Sequence, residues 1–150
     1  MYVLAAQCAS VTVVNRSPER AKELVSSIQQ AFPEAVLSWL SLDDAVKLRE
    51  ALIRSEVVVN TTSVGMHPHV EVDAPVNPEI ISSDSIVIDL IYNPVETRLL
   101  RESRIRGART MNGLPMLVHQ GAESFRIWTG CTPMISEMYN AVKSASLASN

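Results

Sequence analysis

The first chemical signal in this chain is a pair of arginines that follows an apolar run. Val11-Thr12-Val13-Val14 leads directly into Asn15-Arg16-Ser17-Pro18-Glu19-Arg20. Read as a buried strand, residues 11–14 place Asn15 and Arg16 at a carboxyl end. That is where open α/β sheets bind their ligands. A dinucleotide site for an unphosphorylated ribose carries Asp or Glu there, to accept from the 2′-hydroxyl. Here the place is held by Asn15-Arg16, and the first acid is Glu19. A guanidinium binds phosphate through two parallel hydrogen bonds. Arg20, four residues on, can reach the same group or stack on adenine. An idle, solvated arginine pair is the bland alternative. It has a cost, because positive charge opposes the dipole at a helix N-terminus. The expectation is therefore an NADP site, with Arg16 and Arg20 placed to meet the 2′-phosphate.

Three further strand ends carry small or polar residues: Asn60-Thr61-Thr62-Ser63, Asp89-Leu90-Ile91-Tyr92 and Asn112-Gly113. Each alone reads as an ordinary loop, but together they mark one edge of a sheet. Metal chemistry has little support. His67 and His69 flank Pro68 and His119 is distant, in no established ligand spacing, so no metal site is expected. Cys8 and Cys131 stand in no metal or redox spacing and read as free thiols of a cytoplasmic protein.

The elements needed to position these residues alternate between strand-like and helix-like, the pattern of a parallel α/β sheet. Residues 2–8 read as the tail of a helix, and residues 11–14 as a strand covered on both faces. Ser17 can cap the next helix and Pro18 suits its first turn. Ala21, Leu24, Val25 and Ile28 mark its buried stripe. Phe32-Pro33 ends it. Residues 35–40 form the next strand, and Ser41-Leu42-Asp43-Asp44 resembles a capping box opening a helix to about Ile53. Residues 57–59 are another buried strand. A proline-rich loop with Pro68, Pro75 and Pro78 is long enough to suggest function. Residues 86–88 are a strand, and a helix from about Glu96 ends at Gly107. Residues 109–111 are a short strand before a helix that starts near Pro115 and closes at Gly130. A last helix, about 134–148, repeats apolar residues at Ile135, Met138, Tyr139 and Val142.

At 150 residues the chain has the length of one domain, and 47% hydrophobic with 19% charged residues argues against disorder. A net charge of −3 implies no general affinity for polyanions, so nucleic acid is not an expected partner. Arg98, Arg101, Arg104, Arg106 and Arg109 sit at near-helical spacing with Leu99, Leu100 and Ile105 between them, which reads as a solvated helix face. No apolar run reaches membrane-spanning length.

The motifs occur in a recognisable order. Asn15-Arg16-Ser17-x-x-Arg20-Ala21, then Asn60-Thr61-Thr62-Ser63-Val64-Gly65-Met66, then Asp89-Leu90-Ile91-Tyr92-Asn93-Pro94-x-x-Thr97 come first. Asn112-Gly113-Leu114-x-Met116-Leu117-x-x-Gln120-Gly121-Ala122 follows, with Phe125 and Trp128-Thr129-Gly130 after it. Together they resemble the C-terminal, NADP-binding domain of shikimate dehydrogenases, over essentially the whole chain. The resemblance implies NADP-dependent interconversion of 3-dehydroshikimate and shikimate, in the shikimate route to aromatic amino acids and chorismate. It implies that Asn15, Arg16, Ser17 and Arg20 hold the adenosine 2′-phosphate, that Thr62 lines the cofactor and that Leu90 and Gly113 approach the nicotinamide half. Tyr92 and Gln120 would hydrogen-bond the substrate, a role suited to a phenol and an amide.

The resemblance also implies absences. The family's catalytic Lys and Asp lie outside the matched region. The lysines here are Lys22, Lys47 and Lys143, none beside Tyr92, so no catalytic residue is expected in this chain. No glycine precedes Gly65, so no phosphate cradle is expected either. The expected fold is a Rossmann-like, doubly wound, mainly parallel sheet lacking its first strand and phosphate loop. The missing strand would lie between the Val11 and Val57 strands of a 3-2-1-4-5-6 order. Residues 1–150 would form a partial NADP-binding domain, inactive alone, whose last helix packs on a missing N-terminal substrate domain. Two other readings stay open: a non-catalytic nucleotide-binding or interaction module, and a quinate/shikimate dehydrogenase relative.

Overall fold

The computed structural model describes residues 1–148 and divides the chain into two compact units, residues 1–54 and residues 55–150. In the first unit, α1 (Tyr2–Gln7) precedes β1 (Val11–Asn15), α2 (Pro18–Ala31), β2 (Leu37–Ser41) and α3 (Ala45–Arg54). β1 and β2 pair in parallel, from Val11 opposite Leu37 to Asn15 opposite Ser41. Ala21, Val25 and Ile28 of α2 are buried together with Ala5 and Leu52. The fourth residue of the expected stripe, Leu24, is 42% exposed. A two-stranded sheet offers too narrow a face to cover a full helical stripe. α2 ends at Phe32, whose ring meets Tyr2 edge to face at 5.5 Å. The Gln29 side-chain amide lies within hydrogen-bond distance of the carbonyls of Phe32, Pro33 and Ala35, which holds the turn into β2. The expected capping box is shifted. Ser41 Oγ accepts from the Asp43 N–H, and the group that caps α3 is Asp44, whose Oδ1 accepts from the Lys47 N–H at 3.2 Å.

In the second unit, β3 (Val57–Asn60), β4 (Ile86–Asp89) and β5 (Arg109–Met111) form a parallel sheet in the order β3-β4-β5. The loop between β3 and β4 contains a short 3-10 turn at Pro78–Ile80. α4 (Arg98–Ile105) packs on β4 and β5, and α5 (Leu114–Thr129) packs against α6 (Ile135–Ala148). Val87, Ile91, Leu99, Leu100, Leu114 and Val118 form the core. The end of α4 is a Schellman motif. The Gly107 N–H bonds the Arg104 carbonyl, the Ala108 N–H bonds the Ser103 carbonyl, and Gly107 has φ +100°, a conformation open to glycine. Gly130 ends α5 in the left-handed region in the same way, with φ +70°.

Every strand pair is parallel, as expected, but the single sheet is replaced by two. The pairings β2-β1 and β3-β4-β5 are the two runs of neighbours left when strand 1 is taken out of the order 3-2-1-4-5-6. Neither β1 nor β3 is the fully covered strand its apolar run implies. Thr12 is exposed, Val57 is 48% exposed, and Val59 is exposed as well. Both strands stand at a sheet edge, and β3 buries only the face that carries Val58 and Asn60. The arginine-rich face of α4 is exposed and laced with ion pairs. Arg98 contacts Asp73 and Glu102, and Arg104 contacts Glu96.

Candidate functional site

In the first unit, the end of β1 turns sharply into α2. Asn15 Oδ1 accepts from the Ser17 N–H at 2.9 Å, an Asx turn that orients the entry of the helix. The Asn15 carbonyl accepts from Leu42 N–H at 3.0 Å, which ties the turn to the end of β2. Ser17 occupies the N-cap position with Pro18 next to it, but its side chain makes no capping bond. The hydroxyl anticipated as a cap is left free to meet a ligand. Arg16 and Arg20 are exposed and enter no ion pair among the described residues. Two unpaired guanidinium groups and the first N–H groups of a 14-residue helix thus occur together. That combination suits an anion with several acceptor oxygens.

In the second unit, the ends of β3, β4 and β5 are joined by buried polar side chains. Asp89 closes β4 with 0% exposure. Its Oδ1 accepts from Asn60 Nδ2 at 3.0 Å and from the Ile91 N–H at 3.1 Å, and its Oδ2 accepts from the Thr97 hydroxyl at 2.7 Å. Asn60 Oδ1 in turn accepts from the backbone N–H and the hydroxyl of Thr62, at 3.0 and 2.8 Å. Thr97 caps α4, its hydroxyl accepting from Leu100 N–H. Asn112 spans the third strand end, donating to the Val95 carbonyl at 2.9 Å and accepting from Leu114 N–H at 3.2 Å.

These bonds shape a cleft of about 360 Å³ lined by residues 61–63 and 90–93 with Met66 and His67. Thr62, Leu90 and Tyr92 are among its walls, and Tyr92 is 41% exposed. Gly113 is buried beneath them. The Gly113 N–H bonds the Ile91 carbonyl at 2.9 Å, and a Cβ on Gly113 would stand 2.0 Å from the Leu90 carbonyl oxygen. Its close backbone approach is thus to the chain's own β4 end. Gln120 is exposed on α5 and does not line the cleft. None of the lysines lines it; Lys22 lies in α2, Lys47 in α3 and Lys143 in α6. In the sequence Asn60 and Asp89 read only as polar strand ends and Thr97 only as part of a motif; neither they nor His67 are assigned a role in the cofactor or substrate site there. The signal for the first two was a polar residue closing each apolar strand run.

No group of three or more His, Cys, Asp or Glu residues is placed to hold a metal ion among the described residues, and Cys8 and Cys131 are free and exposed. No helix among them is long and apolar enough to cross a membrane.

Fold and site together define a Rossmann-like α/β domain with its polar residues gathered at the carboxyl ends of parallel strands. A family profile described as the shikimate 5'-dehydrogenase C-terminal domain matches residues 113–143. The shikimate dehydrogenase (NADP(+)) of Methanosarcina mazei is 43% identical over 144 residues, 96% of this chain and 50% of that protein. A crystal structure of a shikimate dehydrogenase in complex with NADP+ superposes with TM-score 0.79 at 36% identity, covering 91% of this chain and 46% of that one. A quinate dehydrogenase from Corynebacterium glutamicum in complex with NAD superposes with TM-score 0.85 at 27% identity, covering 95% and 49%. The chain is similar to the C-terminal half of shikimate dehydrogenases and spans about half the length of the curated relatives it matches.

Proposed function

We propose that this chain is the NADP-binding half of a dehydrogenase that interconverts 3-dehydroshikimate and shikimate. The observation that carries the cofactor reading is the unpaired Arg16, between the end of β1 and the N-cap of α2 where an NAD-specific site would hold an acid, with the unpaired Arg20 in the first turn of α2. Asn15 shapes that turn through its bond to Ser17 N–H, and the Ser17 hydroxyl is free to donate to a phosphate oxygen. Thr62 and Leu90 would face the nicotinamide half from the cleft walls, with Gly113 letting the Leu90 backbone sit low. Tyr92 and Gln120 would hydrogen-bond the hydroxyls or carboxylate of the substrate. When bound, the cofactor supplies the hydride; the residues of this chain bind and orient.

The proton for the developing alkoxide needs a donor. With no lysine lining the cleft, that group is assigned to the half of the family protein that this chain does not match. The exposed Ile135 and Tyr139 of α6 are the surface proposed to meet it. The test is a reductase assay with NADPH and 3-dehydroshikimate, on the chain alone and on a fusion carrying the other half of a relative such as the M. mazei enzyme. Turnover by the fusion only is expected. Turnover by the chain alone would refute the assignment of the proton donor, and a fusion that prefers quinate would favour the quinate-active reading. A folded fusion that is inert towards both substrates would leave the non-catalytic module as the better description.

A further inference from the structure

Asp89 is an expensive residue to place where it is. A carboxyl removed from water is tolerated only when hydrogen-bonded or paired, and a leucine there would carry no such cost. Among the described residues Asp89 has no ion pair, and its partners are three donors: Asn60 Nδ2, Ile91 N–H and the Thr97 hydroxyl. Two of them lead to opposite walls of the cleft. Through Asn60 Oδ1 the chain of bonds reaches the N–H and hydroxyl of Thr62, and the Thr62 hydroxyl accepts from Val64 N–H at 3.2 Å. Through Ile91 N–H it fixes the backbone immediately before Tyr92. The Leu90 N–H, bonded to the Asn60 carbonyl at 3.0 Å, closes the loop between the two walls.

We propose that Asp89 is the positioning residue of the cleft: one buried acceptor aims both the wall bearing Thr62 and the wall bearing Tyr92. It touches neither cofactor nor substrate itself. The inference deepens the reading of this cleft as the cofactor and substrate site and rests on it. The third partner, Thr97, ties the same carboxyl to the N-terminus of α4, so the aim is referenced to the core rather than to the loops alone.

The test compares Asp89→Ala with the conservative Asp89→Asn. The carboxamide oxygen of asparagine still accepts from Asn60 and Ile91, while the Thr97 hydroxyl turns to accept from its NH2 group. In Asp89→Ala, amide hydrogen exchange at Thr62 and Ile91 is expected to speed up by about tenfold or more, as for a lost buried hydrogen bond. Amides within α5 stay unchanged, and NADPH affinity, read by fluorescence, falls. Asp89→Asn restores all three readouts. The proposal is overturned if Asp89→Ala leaves Thr62 and Ile91 protected, if exchange accelerates equally throughout α5, or if Asp89→Asn rescues nothing. Should Asp89→Ala fail to fold, Asn60→Ala decides: Thr62 must lose protection while Ile91 keeps it, and protection retained at Thr62 overturns the proposal. A wild-type chain that does not bind NADPH would count against the proposed function alone, because the exchange pattern still judges the positioning.

Discussion

A cation beside a helix N-terminus is unfavourable unless an anion answers it. Arg16 and Arg20 have no ion-pair partner among the described residues, so a bound phosphate is the natural complement. Arg16→Ala is expected to weaken NADP(H) binding by roughly 1.5–3 kcal/mol, the range for a charged hydrogen-bonded contact, with little change for NAD(H). Paired titrations of both cofactors check this, and equal losses would show that Arg16 does not read the 2′-phosphate. Gly113 makes a different kind of statement. An alanine methyl there would be driven to 2.0 Å from a backbone oxygen that cannot rotate away. Gly113→Ala should therefore destabilise the second unit by more than about 3 kcal/mol, among the larger effects seen for single substitutions. Chemical denaturation measures it, and a loss within ~1 kcal/mol would contradict the geometry. The place of Arg16 at the carboxyl end of β1 was legible in the sequence, because it follows directly on an apolar run. The linkage of Asp89 was not, because its partner Asn60 is 29 positions away and only the parallel register of β3 and β4 brings them together.

Elements read well wherever their ends carry their own chemistry. Gly107 and Gly130 could be recognised as helix stops because the left-handed conformation demands glycine there, and both adopt it. Strand burial read poorly, since the apolar run at residues 57–59 says nothing about whether a neighbour covers the Val57 and Val59 face. The cap of α3 was misplaced because Ser41 and Asp44 are both competent acceptors, and only the fold chooses between them. That cap has a pH dependence. The backbone N–H of Lys47, with its ammonium group adding to it, holds the Asp44 carboxyl below the usual aspartate range. A depressed folded value means the stabilisation is present above the unfolded value and is lost as pH falls through the folded one. The first turn of α3 should therefore fray early on acidification, and Asp44→Asn should remove that step, as followed by amide shifts of Ala45 to Leu48. In α4, Ser103 Oγ is buried without a hydrogen-bond partner among the described residues. Ser103→Ala should stabilise the fold by about 1 kcal/mol, by removing an unsatisfied hydroxyl and improving helix propensity. A measured loss of stability would indicate a partner such as a buried water.

At the scale of the whole molecule, parallel pairing follows the α/β alternation of the sequence, while the division into a two-stranded and a three-stranded sheet is seen only in the structure. Large apolar side chains remain in solvent, with Trp128 82% exposed and Ile127, Met134 and Tyr139 also open. Surface of that kind is typical of a face that meets another body of protein. Arg16 is the group proposed to choose the cofactor. Calorimetric titration of the wild-type chain with NADP+ and with NAD+ under the same conditions addresses that choice most directly. NADP+ is expected to bind at least about tenfold more tightly, equivalent to roughly 1.4 kcal/mol. Equal affinity for the two cofactors, or tighter binding of NAD+, would contradict the assignment of this half-chain as an NADP-selective domain.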